Sequence, residues 1–292
     1  MSPRDFAAYA YLSLAWGLSF VLLLHVVDAF GWIGAVTFRC FIAGALLYLI
    51  ARVMRRRLDF RAGWLPFTIV GATTVAGQLV GLSYATPLIG TAMAAIFVAS
   101  IPLFSMVIAQ LWGLERITQA RVLGLALGTI GIIMLVGFPA VPMTGAFLLG
   151  CAAMVGSTFS AAFGSNYASR YLSGTGPWEV TIGSFIAGGI LTLPLLWFVP
   201  VPTTPAAIDY LYLVALAALM SALTYVLYFG LVKSIGATAA ISVEFVVTVV
   251  AVLVGALILD EPLTVLQLMG GAVIIVGCAL VLGIVRTPRR VA

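Results

Sequence analysis

Apolar residues along this chain neither alternate with polar ones nor form narrow stripes on polar helices. They come in runs of about 20, the length a helix needs to cross the hydrocarbon of a bilayer, with short polar, proline or glycine breaks between them. Ten such runs can be read. The first half holds Phe6–Val27, Ile33–Val53, Leu65–Ala85, Thr91–Leu111 and Ala120–Phe138. The second holds Gly145–Ala168, Trp178–Val199, Ile208–Gly230, Ala237–Ile258 and Thr264–Val285. Each is predicted to be helical, because an unpaired backbone in lipid is too costly and the period-two alternation of a membrane barrel is absent. Pro87, Gly90, Pro139, Pro142, Pro200, Pro202 and Pro205 punctuate the junctions.

The pattern occurs twice. A constant offset of 146 lays Gly90–Gly131 on Gly236–Gly277, matching Gly90 to Gly236, Glu115 to Glu261, Thr118 to Thr264 and Gly124 to Gly270. Upstream, Phe41-Ile42-Ala43-Gly44 recurs as Phe185-Ile186-Ala187-Gly188. The chain therefore reads as a duplication, with one unit over 6–137 and a second over 147–285.

Composition gives the solvent. Of 292 residues 63% are hydrophobic and 8% charged, against about 25% charged in soluble domains. Such a chain cannot dress itself for water, so its solvent is lipid. The pI near 9.3 is no sign of nucleic acid, because the basic residues sit between the apolar runs. With the N-terminus inside, the cytoplasm receives Arg4, Arg52, Arg55, Arg56, Arg57, Arg61, Arg116, Arg121, Arg170, Lys233, Arg286, Arg289 and Arg290. Among the basic residues only Arg39 lies deep within a span, while the acids Asp28, Asp209, Asp260 and Glu261 fall on the outer side. That bias predicts cytoplasmic N- and C-termini. Five helices per half then turn the second half upside down relative to the first, the inverted-repeat plan of many secondary transporters. The first run is too long for a cleavable signal and has no cleavage pattern after it.

The same residues resemble the ten-helix branch of the drug/metabolite transporter superfamily, whose halves are EamA-type domains. The resemblance rests on Leu14-Ala15-Trp16-Gly17 with Ser19-Phe20, Thr37-Phe38-Arg39, Tyr84-Ala85, Pro102, and Glu115 with Thr118 and Gly124. Glu261-Pro262-Leu263-Thr264 with Gly270 completes it. It extends over nearly the whole chain, and within the superfamily it is closest to bacterial exporters of amino acids, aromatic ones included. It implies an integral protein of the bacterial inner membrane that exports small amphipathic molecules by alternating access. One departure is Thr248, which stands where the first half has Pro102; a bend at Pro102 need not recur there.

Chemistry is sparse. The only lysine, Lys233, has no glycine-rich phosphate cradle around it, which excludes ATP hydrolysis. One histidine, His25, builds no metal site, and Cys40, Cys151 and Cys278 all lie in apolar runs, so neither disulfide nor cofactor is expected. No aspartate lies deep in a span, Asp209 standing at the very start of its run, and no catalytic pair is visible, so the chain is not expected to be an enzyme.

Two charged residues lie well inside spans, away from the run ends, where burial is expensive and function is the default hypothesis. Glu244 sits about 12 Å from the inner face, facing either the central cavity or a neighbouring helix. Without a relay partner on its own helix, it would serve as a hydrogen-bonding group rather than as a proton carrier. Arg39, about 9 Å below the outer face, is better suited to tying helix ends together than to a substrate carboxylate. Trp16, Ser19, Gln78, Tyr84, Asn166, Tyr225 and Tyr228 are the remaining substrate-binding candidates, with Ser157 and Ser160 beside them. Aromatics would stack on a bulky side chain and amides would fix the polar end. Trp32, Trp64, Trp112 and Trp178 read as interface anchors. Gly77-x-x-x-Gly81 and Gly124-x-x-x-Gly128 allow close helix approach, within one chain or across a homodimer; the chain is expected to be a monomer or a homodimer. The expected partners are lipid and a small-molecule substrate. A proton-coupled antiporter and a non-transporting scaffold are the alternatives; a channel would need a continuous polar stripe, and none is seen.

Overall fold

A computed structural model describes residues 1–98, 100–116, 118–136, 144–202, 204–258 and 264–282. Phe138, Pro139, Pro142, Asp260, Glu261, Pro262, Val285, the arginines 286–290 and Ala292 lie outside the described residues. Within them there is no strand. The helices are α1 (Pro3–Val53), α2 (Trp64–Val70), α3 (Gln78–Val98), α4 (Ile101–Leu111), α5 (Gln119–Val136) and α6 (Gly145–Tyr171). Then follow α7 (Pro177–Thr192), α8 (Ala207–Ala217), α9 (Leu223–Ile235), α10 (Ala237–Ile241), α11 (Val243–Ile258) and α12 (Val265–Val281). Five helical stretches among the described residues, such as Leu22–Val53 and Ala207–Ile235, are long and apolar enough to cross a membrane. Shorter apolar helices, among them Ile101–Leu111 and Leu268–Val281, accompany them.

Several runs are joined without a loop. Gly31, Gly90 and Gly236 each interrupt helical geometry at one residue, with φ of 72°, 81° and 88° and ψ of 164°, 156° and 161°. That combination is essentially open only to glycine. A single residue therefore ends one run and starts the next.

The long helices are also broken internally. A π-helical turn, Gly71–Gly77, joins α2 to α3, and another, Ala218–Ala222, joins α8 to α9. The offset of 146 puts the second within the register of the first. The run from Ala237 to Ile258, expected to be one helix, is divided at Ser242 (φ −62°, ψ −9°) into α10 and α11. No proline is needed. The Ser242 hydroxyl donates to the Ala239 carbonyl at 2.7 Å and shares a 3.1 Å hydrogen bond with the Tyr9 hydroxyl, and such back-bonding competes with the helical ladder. In the first half the corresponding run breaks at Ser100, with Pro102 in the first turn of α4.

Glycines set the tightest packing. A Cβ on Gly124 of α5 would lie 2.6 Å from the Gly277 carbonyl of α12, and one on Gly131 would lie 2.8 Å from that of Gly270. One on Gly81 would meet Ser157 at 2.7 Å. Leu123, Ile130, Leu149, Leu211 and Ile275 are each more than half exposed, an apolar surface suited to lipid tails. At the loop before α5, Glu115 accepts from Arg121 Nη1 at 2.6 Å and from the Thr238 backbone N–H at 3.3 Å. The carboxylate thus satisfies a free amide at the start of α10, just after Gly236.

Candidate functional site

Four stretches converge near the middle of the bundle. From α1 come Trp16, Ser19 and Leu23, then Arg39 beyond the Gly31 break; from α3 come Gln78, Leu79, Leu82 and, at its far end, Val98. Tyr225 enters from α9, and Glu244 and Val247 from α11. They enclose a cavity of about 50 Å³. Under the 146-residue offset Leu79 corresponds to Tyr225 and Val98 to Glu244, so matched positions face one space. The π-helical turns end just before Gln78, which lines the cavity, and just before Leu223, two residues ahead of Tyr225.

Aromatic packing forms one wall. The Trp16 ring lies 5.8 Å from Tyr225 and 5.6 Å from Tyr228, both at steep angles. Tyr225 in turn meets Phe185 edge-on at 4.8 Å. Steep ring pairs of this kind are attractive beyond their burial. Tyr228 stands behind Trp16 and shares a 2.6 Å hydrogen bond with Ser165 Oγ. Ser19 uses its hydroxyl on the Trp16 carbonyl at 2.7 Å. The Gln78 carbonyl accepts from Ser157 Oγ at 2.7 Å, which fixes the start of α3 against α6.

Two ionisable side chains complete the lining. Glu244 is 7% exposed and occupies the first turn of α11, directly after the Ser242 break. Among the described residues its carboxylate has neither hydrogen bond nor ion pair. Arg39 is 6% exposed; its Nε donates to Ser221 Oγ, and Nη2 donates to the Met220 carbonyl at 3.1 Å. Both acceptors belong to the π-helical turn Ala218–Ala222, where Ser221 Oγ donates to the Leu216 carbonyl at 3.0 Å. The ion pairs among the described residues are Arg61–Asp59 and Arg121–Glu115, so Arg39 and Glu244 share the cavity without touching.

The other candidates lie elsewhere. Tyr84 packs edge-on against Trp32 at 5.0 Å, outside the cavity. Asn166 is fully buried, donating to Ser105 Oγ and the Ala162 carbonyl, each at 2.9 Å, and so pins α6 to α4. Its Oδ1 has no hydrogen-bond partner among the described residues. Ser160 faces Gly77. His25 lines a separate open concavity with Asp28 and Pro87, its ring 5.4 Å from Tyr212. All three cysteines are free, and among the described residues no three metal-ligating side chains come together.

Sequence reasoning missed the apolar lining, Leu23, Leu79, Leu82, Val98 and Val247, and the Tyr9–Ser242 contact. The repeat offset held a signal for part of it, since it maps Tyr225 and Glu244 onto Leu79 and Val98. Nothing in the sequence announced the π-helical turns.

A family model described as the EamA-like transporter family matches residues 7–137 and 148–283. An uncharacterized transporter of Archaeoglobus fulgidus is 24% identical over 270 residues, 91% of this chain and 94% of that one. The uncharacterized inner membrane transporter YedA of Escherichia coli K12 is 27% identical over 286 residues, 94% of this chain and 90% of its own. The uncharacterized transporter YvbV of Bacillus subtilis is 27% identical over 279 residues, 91% and 87% of the two chains. A crystal structure covering 97% of this chain and 98% of its own shares the fold, with a TM-score of 0.79 at 19% identity.

Proposed function

The chain belongs to the EamA-like transporter family, and from that premise we propose that it is a secondary transporter exporting amino acids across a bacterial inner membrane. Aromatic and bulky neutral amino acids are the favoured substrates, with similar amphipathic metabolites beside them. The observation that carries this is the central cavity, where an unpaired buried carboxylate, Glu244, meets an aromatic wall of Trp16 and Tyr225. A substrate ammonium would lie against Glu244 and its side chain against the rings, while Gln78 would hydrogen-bond the polar end. Tyr228 would hold the wall from behind.

In this proposal ten spans form two inverted five-helix repeats, 6–137 and 147–285, with both termini in the cytoplasm. The cavity opens to one side at a time as the halves rock. At about 50 Å³ it holds a few waters and no amino acid, so loading requires the walls to part. The broken helix at Ser242 and the single-residue hinge at Gly236 support such a movement. Export runs down the substrate's own gradient, because a proton carrier must be loaded and released each cycle and Glu244 has no titratable neighbour on its helix.

Uptake of labelled amino acids into proteoliposomes, with and without a pH gradient, tests this. Saturable uptake of aromatic amino acids that stops at equilibrium is expected. Transport of no amino acid by folded protein would sink the proposal, and uphill accumulation driven by a pH difference would replace it with proton-coupled antiport.

A further inference from the structure

Arg39 poses a problem of charge balance. A guanidinium stays protonated at any accessible pH and carries several N–H donors in a fixed fork. This one is 94% buried, at a relative exposure of 6%. Its hydrogen-bond partners among the described residues are both uncharged: Ser221 Oγ and the Met220 carbonyl. Nη1 has no hydrogen bond among the described residues. Buried charge without a counter-ion is among the costlier arrangements in a protein. In a protein that spans a membrane, the ordinary remedy for a stranded arginine is to snorkel to the interface. Arg39 does not. It points inward, tethered to α8–α9 through their π-helical turn, and lines the cavity that Glu244 also lines.

Tethering alone does not account for this choice. A neutral amide has two N–H donors and could serve both Ser221 Oγ and a backbone carbonyl without a buried charge. A permanent cation lining a cavity fits a ligand that brings an anion.

We infer that Arg39 is the carboxylate-recognising residue of this cavity, and that the ligand is a zwitterion held between the Arg39 guanidinium and the Glu244 carboxylate. The inference rests on the transport function proposed above and narrows its substrate class. α-Amino acids with a free carboxylate bind, whereas the corresponding amines lose the Arg39 contact. The geometry is suited to it: Nε and Nη2 are used on the π-helical turn, leaving Nη1 as the donor for the ligand. Charge-assisted hydrogen bonds are roughly twice as strong as neutral ones. The buried site should therefore discriminate for the carboxylate by about tenfold or more.

The test uses the full-length protein in nanodiscs and three probes sharing one ring: phenylalanine, phenethylamine, which lacks the carboxylate, and 3-phenylpropionate, which lacks the ammonium. Wild type is expected to bind phenylalanine about tenfold or more tighter than phenethylamine. Arg39→Gln should bring the two to equal affinity, and Arg39→Lys should keep part of the preference. Ser221→Ala, which frees the tether and leaves the guanidinium, should keep all of it. Equal binding of phenylalanine and phenethylamine by wild type would overturn the inference and leave Arg39 as a tether. A preference that persists in Arg39→Gln would do the same. If Arg39→Gln fails to fold, the wild-type panel and Arg39→Lys still decide. Binding of none of the three probes by folded wild type would instead remove the amino-acid function itself, and this inference with it.

Discussion

Gly124→Ala probes the seam between α5 and α12. The new Cβ would sit 2.6 Å from the Gly277 carbonyl oxygen, 2.9 Å from Val281 Cγ2 and 3.0 Å from Leu280 Cβ. The nearest of these atoms is backbone, so it cannot rotate away, and the two helices must separate by several tenths of an ångström. Overpacking of this sort costs about 1–3 kcal/mol. Against it, alanine gains about 1 kcal/mol over glycine in a helix interior. The net expectation is a loss of about 1 kcal/mol. Gly156 supplies an internal control, because it lies in α6 with nothing within 4 Å of an added Cβ. Gly156→Ala should have only the propensity gain, so the two variants should differ by about 2 kcal/mol. Both proteins would be purified in one detergent and unfolded thermally, with loss of the monodisperse chromatographic peak as readout. Gly156→Ala should melt at or above wild type and Gly124→Ala a few degrees below it. If Gly124→Ala melts as high as Gly156→Ala, close backbone contact does not hold this seam.

Four further outcomes are expected. Glu115→Ala removes the side-chain acceptor for the Thr238 amide and strands Arg121; melting in the same assay should register a loss of about 1 kcal/mol, and an unchanged midpoint would refute the capping role. Trp16→Ala should weaken transport of aromatic amino acids more than that of small ones, and an equal loss for both would return Trp16 to packing alone. Glu244→Gln keeps an acceptor at the cavity and should lower transport without abolishing it; uphill, pH-driven accumulation that vanishes in this variant would show Glu244 to be a proton carrier. A cysteine at Arg57 should react with impermeant maleimide only from the cytoplasmic side, and labelling in intact cells would overturn the proposed orientation.

Much of this protein was legible in its sequence because lipid leaves few choices. Once 63% of the residues are apolar, each long run must close its own backbone hydrogen bonds, and helices follow without any knowledge of packing. The offset of 146 likewise needs only the letters, and it pairs Gly90 with Gly236 before their shared backbone geometry is seen. Trp16, Gln78 and Glu244 were found as polar or amphipathic residues stranded in apolar runs, and the same local rule singled out Tyr84 and Asn166. Local rules could not separate these sets. Asn166 donates to Ser105, 61 residues away, whereas Glu244 lines the cavity with no side-chain hydrogen bond among the described residues. The break at Ser242 depends on Tyr9, 233 residues distant, and the setting of Arg39 depends on a π-helical turn 181 residues on. A side chain in lipid must find its partner across helices, and which helix lies opposite is decided by the way small residues let backbones meet. That information is spread over the whole bundle, so tertiary structure alone determines which stranded polar group is paired and which is left facing the cavity.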